Sequence, residues 1–474
     1  MLSEVPDPAL DELGRTEGGP DTLALLVHDQ DTRRLLLLRA LLDAADAADP
    51  RVCSTEQKAR LKDDWALLTE AEDAPRPAGP RDAPSARDRI RYPLTGPWAL
   101  RCLRGLDRAA GTAGPAEARQ LALDLAHFSA LAAVSAARAG IPFTTRLTAH
   151  DGTLNLPSLG SLHTTPADDV HVEVVARHGW MRLSRHGCAD VVVFLENGFG
   201  AWSGSRAWTP AHALPGLTPE VAPMPLDDLD PYRTGPEPRH RTQSGPTTLD
   251  DAERKRWLMA WSGTAAVLRT GGEHRLAEAL ALLRCLVPLE MPPGAEARGG
   301  CSATRREAFG ALLTSTPPTP AAFAATVVHE LQHAKLSALS DAVVLHQGDG
   351  RSRYFAPWRP DPRPYDGLLQ GAYAHLALAD FFQRRALAVA SRAESAWTQY
   401  SRYRAQVGAV LPVLVGSPDL TARGRRFVDQ MVVAYERMDA HPAPRGHTAR
   451  AEAYVSAVRT LWTQRQSSTT RPNE

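Results

Sequence analysis

Residues 324–333 read AATVVHELQH and lie in an apolar segment of helical periodicity that extends over about residues 320–345. Side chains four positions apart lie about 40° apart around a helix. His329 and His333 can therefore direct imidazole nitrogens at one metal ion, while Glu330 lies on the adjoining face. The pattern predicts a helix that supplies two metal ligands and a catalytic carboxylate. The alternative is a helix with two ordinary histidines.

Two histidine ligands leave a divalent metal ion under-coordinated, so a third ligand must come from elsewhere in the chain. The extended metzincin pattern is absent, because Leu336 and Leu339 occupy the positions where it has glycine and histidine. A downstream glutamate ligand of the thermolysin kind is absent too, since no Glu lies between Glu330 and Glu394. The usual completions of a zinc-protease site are therefore missing.

The stretch GLLQGAYAH at residues 367–375 begins a second strongly helical segment and offers His375 as the third ligand. Gly371 lies one turn before His375, and a small residue there lets a neighbouring helix approach closely. His346 and Asp366 are the alternative ligands. A structural core histidine is the alternative role for His375.

The loop between these two helices, YFAPWRPDPRP at residues 354–364, contains four prolines that restrict its backbone without forming secondary structure. A rigid loop that joins two ligand-bearing helices can hold a side chain over a site. Arg359 or Arg363 can grip a carboxylate there through two parallel hydrogen bonds. The alternative is a structural ion pair of either arginine with Asp361 or Asp366.

The rest of the chain divides by pattern into regions of different class. Residues 1–140 show helical periodicity, 141–202 show the alternation of antiparallel strands, 203–248 have the composition of a loop or linker, and 249–465 are helical again. A flexible polar tail is predicted for residues 466–474. The expected fold class is therefore α+β and predominantly α-helical, with a helical N-terminal part, a small antiparallel sheet and a helical metal-binding C-terminal part.

Composition limits the classes of function. The 474 residues include 43% hydrophobic and 23% charged residues, the balance of an ordinary globular protein. With 54 basic and 54 acidic side chains the formal net charge is 0, which argues against binding nucleic acid or an anionic membrane through bulk charge. The five cysteines form no CxxC pair, no secretory signal is visible, and no run of about 18 apolar residues occurs. These features predict a cytoplasmic protein with reduced thiols and leave its oligomeric state open.

Four stretches in order resemble the bacterial HExxH-motif peptide-modification proteins: SATRREAFG (302–310), VVHELQHAKLSAL (327–339), YFAPWRPDPRP (354–364) and GLLQGAYAHLALADF (367–381). Upstream, RRLLLLRALLDA (33–44), GPWALRCLRGL (96–106) and AGIPFTTRLTAHDGTLNLPSLG (139–160) are similar to the same proteins. The resemblance thus extends over most of residues 20–410. These proteins accompany ribosomally synthesised precursor peptides, and members are described as α-ketoglutarate-dependent peptide β-hydroxylases.

The resemblance implies that His329, His333 and His375 bind Fe(II). It also implies that the enzyme uses α-ketoglutarate (2-oxoglutarate) and dioxygen to hydroxylate a side-chain β-carbon of a precursor peptide. The candidates for holding the distal carboxylate of α-ketoglutarate are Arg359, Arg363 and Lys335. Common oxygenases of this class use two histidines and one carboxylate. The departure from that pattern leaves Glu330 as a base, an orienting group or a direct ligand.

Two other functions stay open. One is a zinc metallohydrolase or peptidase, in which Glu330 acts as the general base that activates a Zn(II)-bound water. The other is a non-catalytic peptide-binding protein. If the protein is the oxygenase, we expect its N-terminal helices and small sheet to bind the leader of the peptide, by adding a strand to an exposed sheet edge.

Overall fold

The computed structural model describes residues 4–74, 86–109, 114–165, 169–235, 245–292 and 300–469. The chain forms two compact units. One contains residues 1–30, 259–283 and 317–474, and we call it the helical unit; the other contains residues 31–258 and 284–316, and we call it the mixed unit. Most of the described secondary structure is helical and the strands form small sheets. The expected α+β, predominantly helical class is therefore confirmed.

The described part of the helical unit is built from helices and the loops that connect them. Its helices are Asp7–Gly14, Thr264–Thr270, Glu273–Leu282, Pro320–Ala342, Tyr365–Ala388, Ala393–Val415, Ala422–Arg437 and Arg445–Thr469. The helices Pro20–Ala47 and Asp251–Ser262 contain boundaries between the two units. We call Pro320–Ala342 the motif helix, Tyr365–Ala388 the His375 helix and Ala393–Val415 the Tyr403 helix.

The motif helix begins at a well-formed cap. The side-chain oxygen of Thr319 accepts a hydrogen bond from the backbone N–H of Ala322 at 3.1 Å, and Pro320 occupies the first turn, where no backbone donor is needed. Apolar side chains such as Val327 and Leu331 are buried. The motif helix packs against the His375 helix, which packs in turn against the Tyr403 helix. Residues from three helices can therefore contribute to one site.

The mixed unit combines helices with three small sheets. Its helices are Thr55–Asp73, Ala86–Ile90, Thr95–Ala109 and Pro115–Arg138. Its strands are β1 (Phe143–Ala149), β2 (Thr153–Leu156), β3 (Gly160–His163), β4 (Val170–Arg177), β5 (Trp180–Ser184), β6 (Val191–Leu195), β7 (Ala201–Trp202), β8 (Trp208–Pro210), β9 (His212–Leu214), β10 (Met224–Leu226), β11 (Cys285–Leu289), β12 (Ser302–Ala303) and β13 (Ala311–Ser315). The strand orders are β1-β4-β5-β6-β7, β12-β13-β11-β10-β9 and β2-β3-β8.

The helix Pro115–Arg138 connects two cores of the mixed unit. Phe128 stacks on Trp98 of a neighbouring helix, with ring centroids 5.9 Å apart. Ala133 belongs to the core that this helix forms with the sheet, together with Val172. Among the described residues this helix alone is long and apolar enough to cross a membrane, but 67% of its most apolar window is buried inside the protein. Such burial is typical of the core helix of a globular unit.

Strands occur in two regions where the sequence predicts none. The predicted loop 203–248 contains β8, β9 and β10, while its residues 236–244 lie outside the described residues. The predicted helical region 249–465 contains β11, β12 and β13, and every residue of β11 and β13 is buried. These two strands pair in parallel. A short buried run of this kind shows no alternation, so periodicity does not distinguish it from a buried helix.

The C-terminal helix also extends further than expected. Arg445–Thr469 includes residues 466–469, which the composition places in a flexible tail. The remaining residues of the predicted tail, 470–474, lie outside the described residues. The two units join segments that are distant in sequence, whereas the sequence pattern divides the chain into consecutive regions.

Candidate metal centre

The two histidines of the motif helix face each other. The Nε2 atoms of His329 and His333 lie 3.1 Å apart, and their ring centroids are 4.7 Å apart. Two nitrogen ligands, each about 2.1 Å from one metal ion, lie about 3.0 to 3.4 Å apart in octahedral or tetrahedral geometry. The two Nε2 atoms are therefore spaced for joint binding of one ion. The side chain of His329 is 26% exposed, so the pair is accessible from solvent.

Gln370, on the His375 helix, orients one of these ligands. Its Oε1 atom lies 3.0 Å from Nδ1 of His333. Because an amide oxygen only accepts hydrogen bonds, Nδ1 carries the proton and donates it. The Nε2 atom of His333 then keeps its lone pair, which is directed toward His329. A hydrogen bond at the far ring nitrogen is the usual support of a metal-binding histidine.

His375 lies beside this pair in an aromatic enclosure. Its ring centroid is 5.7 Å from that of His329, 4.6 Å from that of Trp358 and 5.0 Å from that of Tyr403. His375 is 7% exposed, and its Nδ1 atom is buried without a hydrogen-bond partner within the described part of the chain. A buried polar nitrogen without a partner is unfavourable unless a ligand binds it.

Gly371 makes the contact between Trp358 and His375 possible. A Cβ atom at Gly371 would lie 2.5 Å from Cζ2 and 2.8 Å from Nε1 of the Trp358 indole. The sequence suggests that this glycine admits a neighbouring helix, and the structure corrects this: the neighbour is the indole ring of the proline-rich loop. The prolines restrict that loop, so the indole has a defined place against His375.

His375 does not complete a three-donor group in this conformation. Among the six described stretches of the chain, no three His, Cys, Asp or Glu side chains lie close enough together to hold a metal ion. The alternative ligands, His346 and Asp366, lie against each other, with Nε2 and Oδ1 3.5 Å apart. The assembled part of the predicted site is thus the pair His329 and His333. Imidazole nitrogen is a ligand type that divalent transition metals favour, so the chemistry of this pair, with the buried nitrogen of His375 beside it, suits such an ion.

The site favours neutral imidazoles. Desolvation by the surrounding protein, and then the neighbouring His333, lower the pKa of His329 to about 4, although Glu330 opposes the shift. Burial lowers the pKa of His375 well below its ordinary value, and the two motif histidines and Arg402 add to this effect. Neutral imidazole is the form that binds a metal ion. His329 and His375 therefore keep their lone pairs at neutral pH.

Glu330 is buried next to the histidine pair. Its Oε1 atom lies 4.0 Å from Nε2 of His329, and its side chain is 4% exposed. This distance is longer than a hydrogen bond. A carboxylate placed in this way can accept a proton from a bound water or orient a bound group. Direct coordination by Glu330 would require its side chain to move.

Lys335 points away from the histidines, because it lies two residues after His333 on a helix. Its Nζ atom donates to Oε1 of Glu278 at 2.6 Å and to two backbone carbonyl oxygens at 3.2 and 3.0 Å. Its side chain is 0% exposed. The structure corrects the expectation that Lys335 holds α-ketoglutarate, since all three of its protons are used inside the protein.

The group around Lys335 anchors the back of the motif helix. Arg275 donates to Oε2 of Glu278 at 3.1 Å, and the amide of Gln332 donates to the same oxygen at 3.3 Å. Burial alone would raise the pKa of Glu278, but Lys335 and then Arg275 outweigh burial and lower it. The carboxylate therefore stays charged. We call these four side chains the buried ion network; it fixes the rotation of the motif helix and hence the direction of its histidines.

Arg359 and Arg363 both pair with Asp361. The Nε atom of Arg359 lies 3.1 Å and Nη1 of Arg363 lies 3.5 Å from an oxygen of this carboxylate. This is the structural alternative considered for the proline-rich loop. The Nε atom of Arg363 is nevertheless buried with no hydrogen-bond partner among the described residues. A ligand carboxylate can compete for these guanidinium groups.

Sequence reasoning does not identify three side chains of this site, namely Gln370, Trp358 and Tyr403. A polar residue in an otherwise apolar turn was the available signal for Gln370, and a large aromatic residue among prolines was the signal for Trp358. No local signal marks Tyr403, because its approach to His375 depends on how two helices pack.

No protein-family model matches the chain, and none of the curated proteins is significantly similar to it. The resemblance to the HExxH-motif peptide-modification proteins therefore rests on the sequence motifs alone.

Proposed function

We propose that the chain is a non-haem iron enzyme in which His329, His333 and His375 hold Fe(II). In this proposal it hydroxylates a side-chain β-carbon of a ribosomally synthesised precursor peptide, with α-ketoglutarate and dioxygen as cosubstrates. The observation that carries the proposal is the 3.1 Å approach of the Nε2 atoms of His329 and His333. The choice of Fe(II) and α-ketoglutarate over other metal chemistry rests on the motif resemblance.

The side chains of the site have separate tasks. His329 and His333 bind the ion, and Gln370 holds His333 in the tautomer whose Nε2 is free. His375 is the candidate third nitrogen, and its two aromatic neighbours limit the access of water to it. When bound, Fe(II) with α-ketoglutarate and dioxygen supplies the oxidising power that replaces a C–H hydrogen by hydroxyl, with succinate and carbon dioxide as coproducts.

The candidates for holding the distal carboxylate of α-ketoglutarate are now Arg359, Arg363 and Arg402. The first two lie on the loop that brings Trp358 to His375, and both already bind a carboxylate, that of Asp361. The third is close enough for its charge to lower the pKa of His375. Replacing each arginine in turn by glutamine identifies the anchor, because only the loss of the anchoring arginine should raise the KM for α-ketoglutarate.

Zinc-dependent hydrolysis of a peptide bond is a second candidate function, favoured by one observation. Glu330 is buried with Oε1 4.0 Å from Nε2 of His329. There it can take a proton from a water bound to the same ion. The absence of a downstream glutamate ligand weighs against this function. Under it, Glu330→Gln abolishes peptide cleavage and leaves metal binding intact.

A cytoplasmic location is part of the proposal. All five cysteines are free, and three of them, Cys53, Cys102 and Cys285, are buried. Free thiols are typical of proteins in a reducing compartment. The net charge of 0 argues against binding nucleic acid or an anionic membrane through bulk charge.

The test compares Fe(II) and Zn(II) in protein purified anaerobically without metal. The substrates are α-ketoglutarate, dioxygen and the short precursor peptides encoded by reading frames next to the gene for this chain. The readouts are succinate and peptide mass. We expect succinate, and a peptide heavier by one oxygen atom, with Fe(II) only. Peptide cleavage with Zn(II) alone would select the hydrolase. Peptide binding without any turnover would leave a non-catalytic peptide-binding protein.

A further inference from the structure

The mixed unit contains a large cavity that the metal centre does not use. Its volume is about 1180 Å³, and it lies at one end of the sheet β1-β4-β5-β6-β7. Its wall includes Ile141 and Pro142 before β1, the turn His178–Gly179 between β4 and β5, and residues 195–199 at the end of β6. All the described lining residues belong to the mixed unit.

Arginine side chains line this cavity: Arg89, Arg91, Arg138 and Arg284. Arg89 is only 5% exposed. The Nε atoms of Arg89, Arg91 and Arg138 are buried and have no hydrogen-bond partner among the described residues. Arg138 uses its two terminal nitrogens to bind backbone oxygens of Glu196 and Gly200, at 2.8 and 3.1 Å. Buried N–H groups without a partner are unfavourable, so a ligand with acceptor atoms would stabilise them.

The positive charges of this cavity also act on each other. Burial, and then Arg89, lower the pKa of Arg138 to about 9, while Glu196 opposes the shift. Burial lowers the pKa of Arg89 as well. With a pKa of about 9 the Arg138 guanidinium remains charged at pH 7, so an anion that contacts it would offset the cost of its burial and the repulsion from Arg89.

Carboxylates line the cavity too, but they face solvent or are already paired. Of the five carboxylates among the described lining residues, four are exposed: Glu70, Asp88, Glu196 and Glu220. The fifth, Asp31, forms an ion pair with Arg34 at 2.9 Å, and its other oxygen lies 3.9 Å from Nε of Arg91. Positive charge is therefore buried more deeply in this cavity than negative charge.

We propose that this cavity binds an acidic peptide segment, with a carboxylate of an Asp or Glu side chain at Arg89, Arg91 and Arg138. The size favours a peptide, because small-molecule pockets are typically about 300–1,000 Å³, whereas this cavity measures about 1180 Å³. Apolar residues in its wall, among them Phe199 and Val221, offer contacts to the rest of the segment. The inference rests on the proposed function in one respect: the acidic segment is assigned to the precursor peptide.

Binding to metal-free protein tests the inference. The probes are a capped tetraglutamate peptide, the matching tetraglutamine peptide and free glutarate, compared by calorimetry at one salt concentration. We expect the glutamate peptide to bind at least about tenfold more tightly than either of the others. Equal binding of the glutamine peptide would show that the carboxylate is not recognised. Equal binding of glutarate would overturn the peptide as ligand, and no binding of the glutamate peptide would overturn the site itself.

Variants connect the binding to the arginines. Arg89→Gln and Arg91→Gln should each weaken the binding of the glutamate peptide about tenfold. Arg51→Gln is the matched control, because Arg51 is 91% exposed and lies outside the cavity. Arg91 is 34% exposed, so its replacement keeps the test valid if the buried Arg89→Gln variant fails to fold. Unchanged binding in folded Arg91→Gln and Arg89→Gln protein would contradict the inference. Since no metal is present, failure here and failure of hydroxylation are separate results.

Discussion

The Nδ1 atom of His333 and the Oε1 atom of Gln370 lie 3.0 Å apart and link the motif helix to the His375 helix. This hydrogen bond places the proton on the far side of the His333 ring and leaves Nε2 to face His329. The His375 helix therefore supports the histidine pair through Gln370, independently of whether His375 itself binds the metal.

Replacing Gln370 by Leu should weaken metal binding about 10–100-fold, because His333 loses the acceptor that fixes its tautomer. Gln370→Glu is the matched control, since a carboxylate also accepts the proton from Nδ1. The measurement is a metal titration in competition with a chelator. Equal affinities of wild type and Gln370→Leu would show that the hydrogen bond does not orient the ligand.

Gly371→Ala should destabilise the protein by about 1–3 kcal/mol, because the added Cβ overlaps the indole of Trp358. Metal affinity should fall too, since the displaced indole no longer holds His375. Gly446→Ala is the control: its Cβ meets no atom within 4 Å, and we expect a change within about 0.5 kcal/mol. Urea unfolding gives the free energy of unfolding of both variants. A decrease of the same size in each would show that the close approach of Trp358 to Gly371 does not cause the destabilisation.

Lys335→Met should reduce the free energy of unfolding by about 3–5 kcal/mol, because it leaves the buried ion network short of one positive charge. The matched variant is Lys62→Met, which removes an exposed ion pair with Asp46 and should cost less than about 1 kcal/mol. The comparison uses urea unfolding with and without metal. If Lys335→Met and Lys62→Met reduce the free energy of unfolding by similar amounts, the buried ion network does not anchor the motif helix.

The pH dependence of stability should report on Asp230. Burial, and then Asp227, raise the pKa of Asp230 to about 7. Between about pH 4 and 7 the folded protein therefore binds more protons at this site than the unfolded chain, so stability falls as the pH rises. Asp230→Asn keeps the oxygen that accepts from the backbone N–H of Tyr232 but cannot ionise. The Asp230→Asn variant should therefore show a smaller decrease of the free energy of unfolding with rising pH, by up to about 1.4 kcal/mol per pH unit. Urea unfolding across that pH range measures this slope. If the free energies of unfolding of wild type and Asp230→Asn change with pH in parallel, Asp230 is not the source of the decrease.

The motif helix and the facing of His329 and His333 were predictable, because helical spacing alone fixes the relative direction of side chains four residues apart. The partner of Lys335 was not. Glu278 lies 57 residues earlier in the chain, and only the packing of the helical unit brings the two together. Tyr403 reaches His375 for the same reason.

The fold shows a similar division. Long amphipathic helices have a period that identifies them, whereas β11 and β13 are short, wholly buried and paired in parallel. Their residues carry no alternation, and their pairing joins segments on either side of residues 290–310. Local pattern therefore indicates the helices but not this sheet.

Anaerobic titration of metal-free protein with Fe(II), followed by α-ketoglutarate, tests whether His329, His333 and His375 form an iron site that also binds this cosubstrate. We expect one Fe(II) per chain and a visible charge-transfer absorption when α-ketoglutarate chelates the iron. His329→Ala and His333→Ala should lose both signals, and His375→Ala should weaken the binding of Fe(II). Iron binding that is unchanged in His333→Ala would show that His333 is not an iron ligand, and iron-loaded wild type without an absorption change on addition of α-ketoglutarate would exclude this cosubstrate.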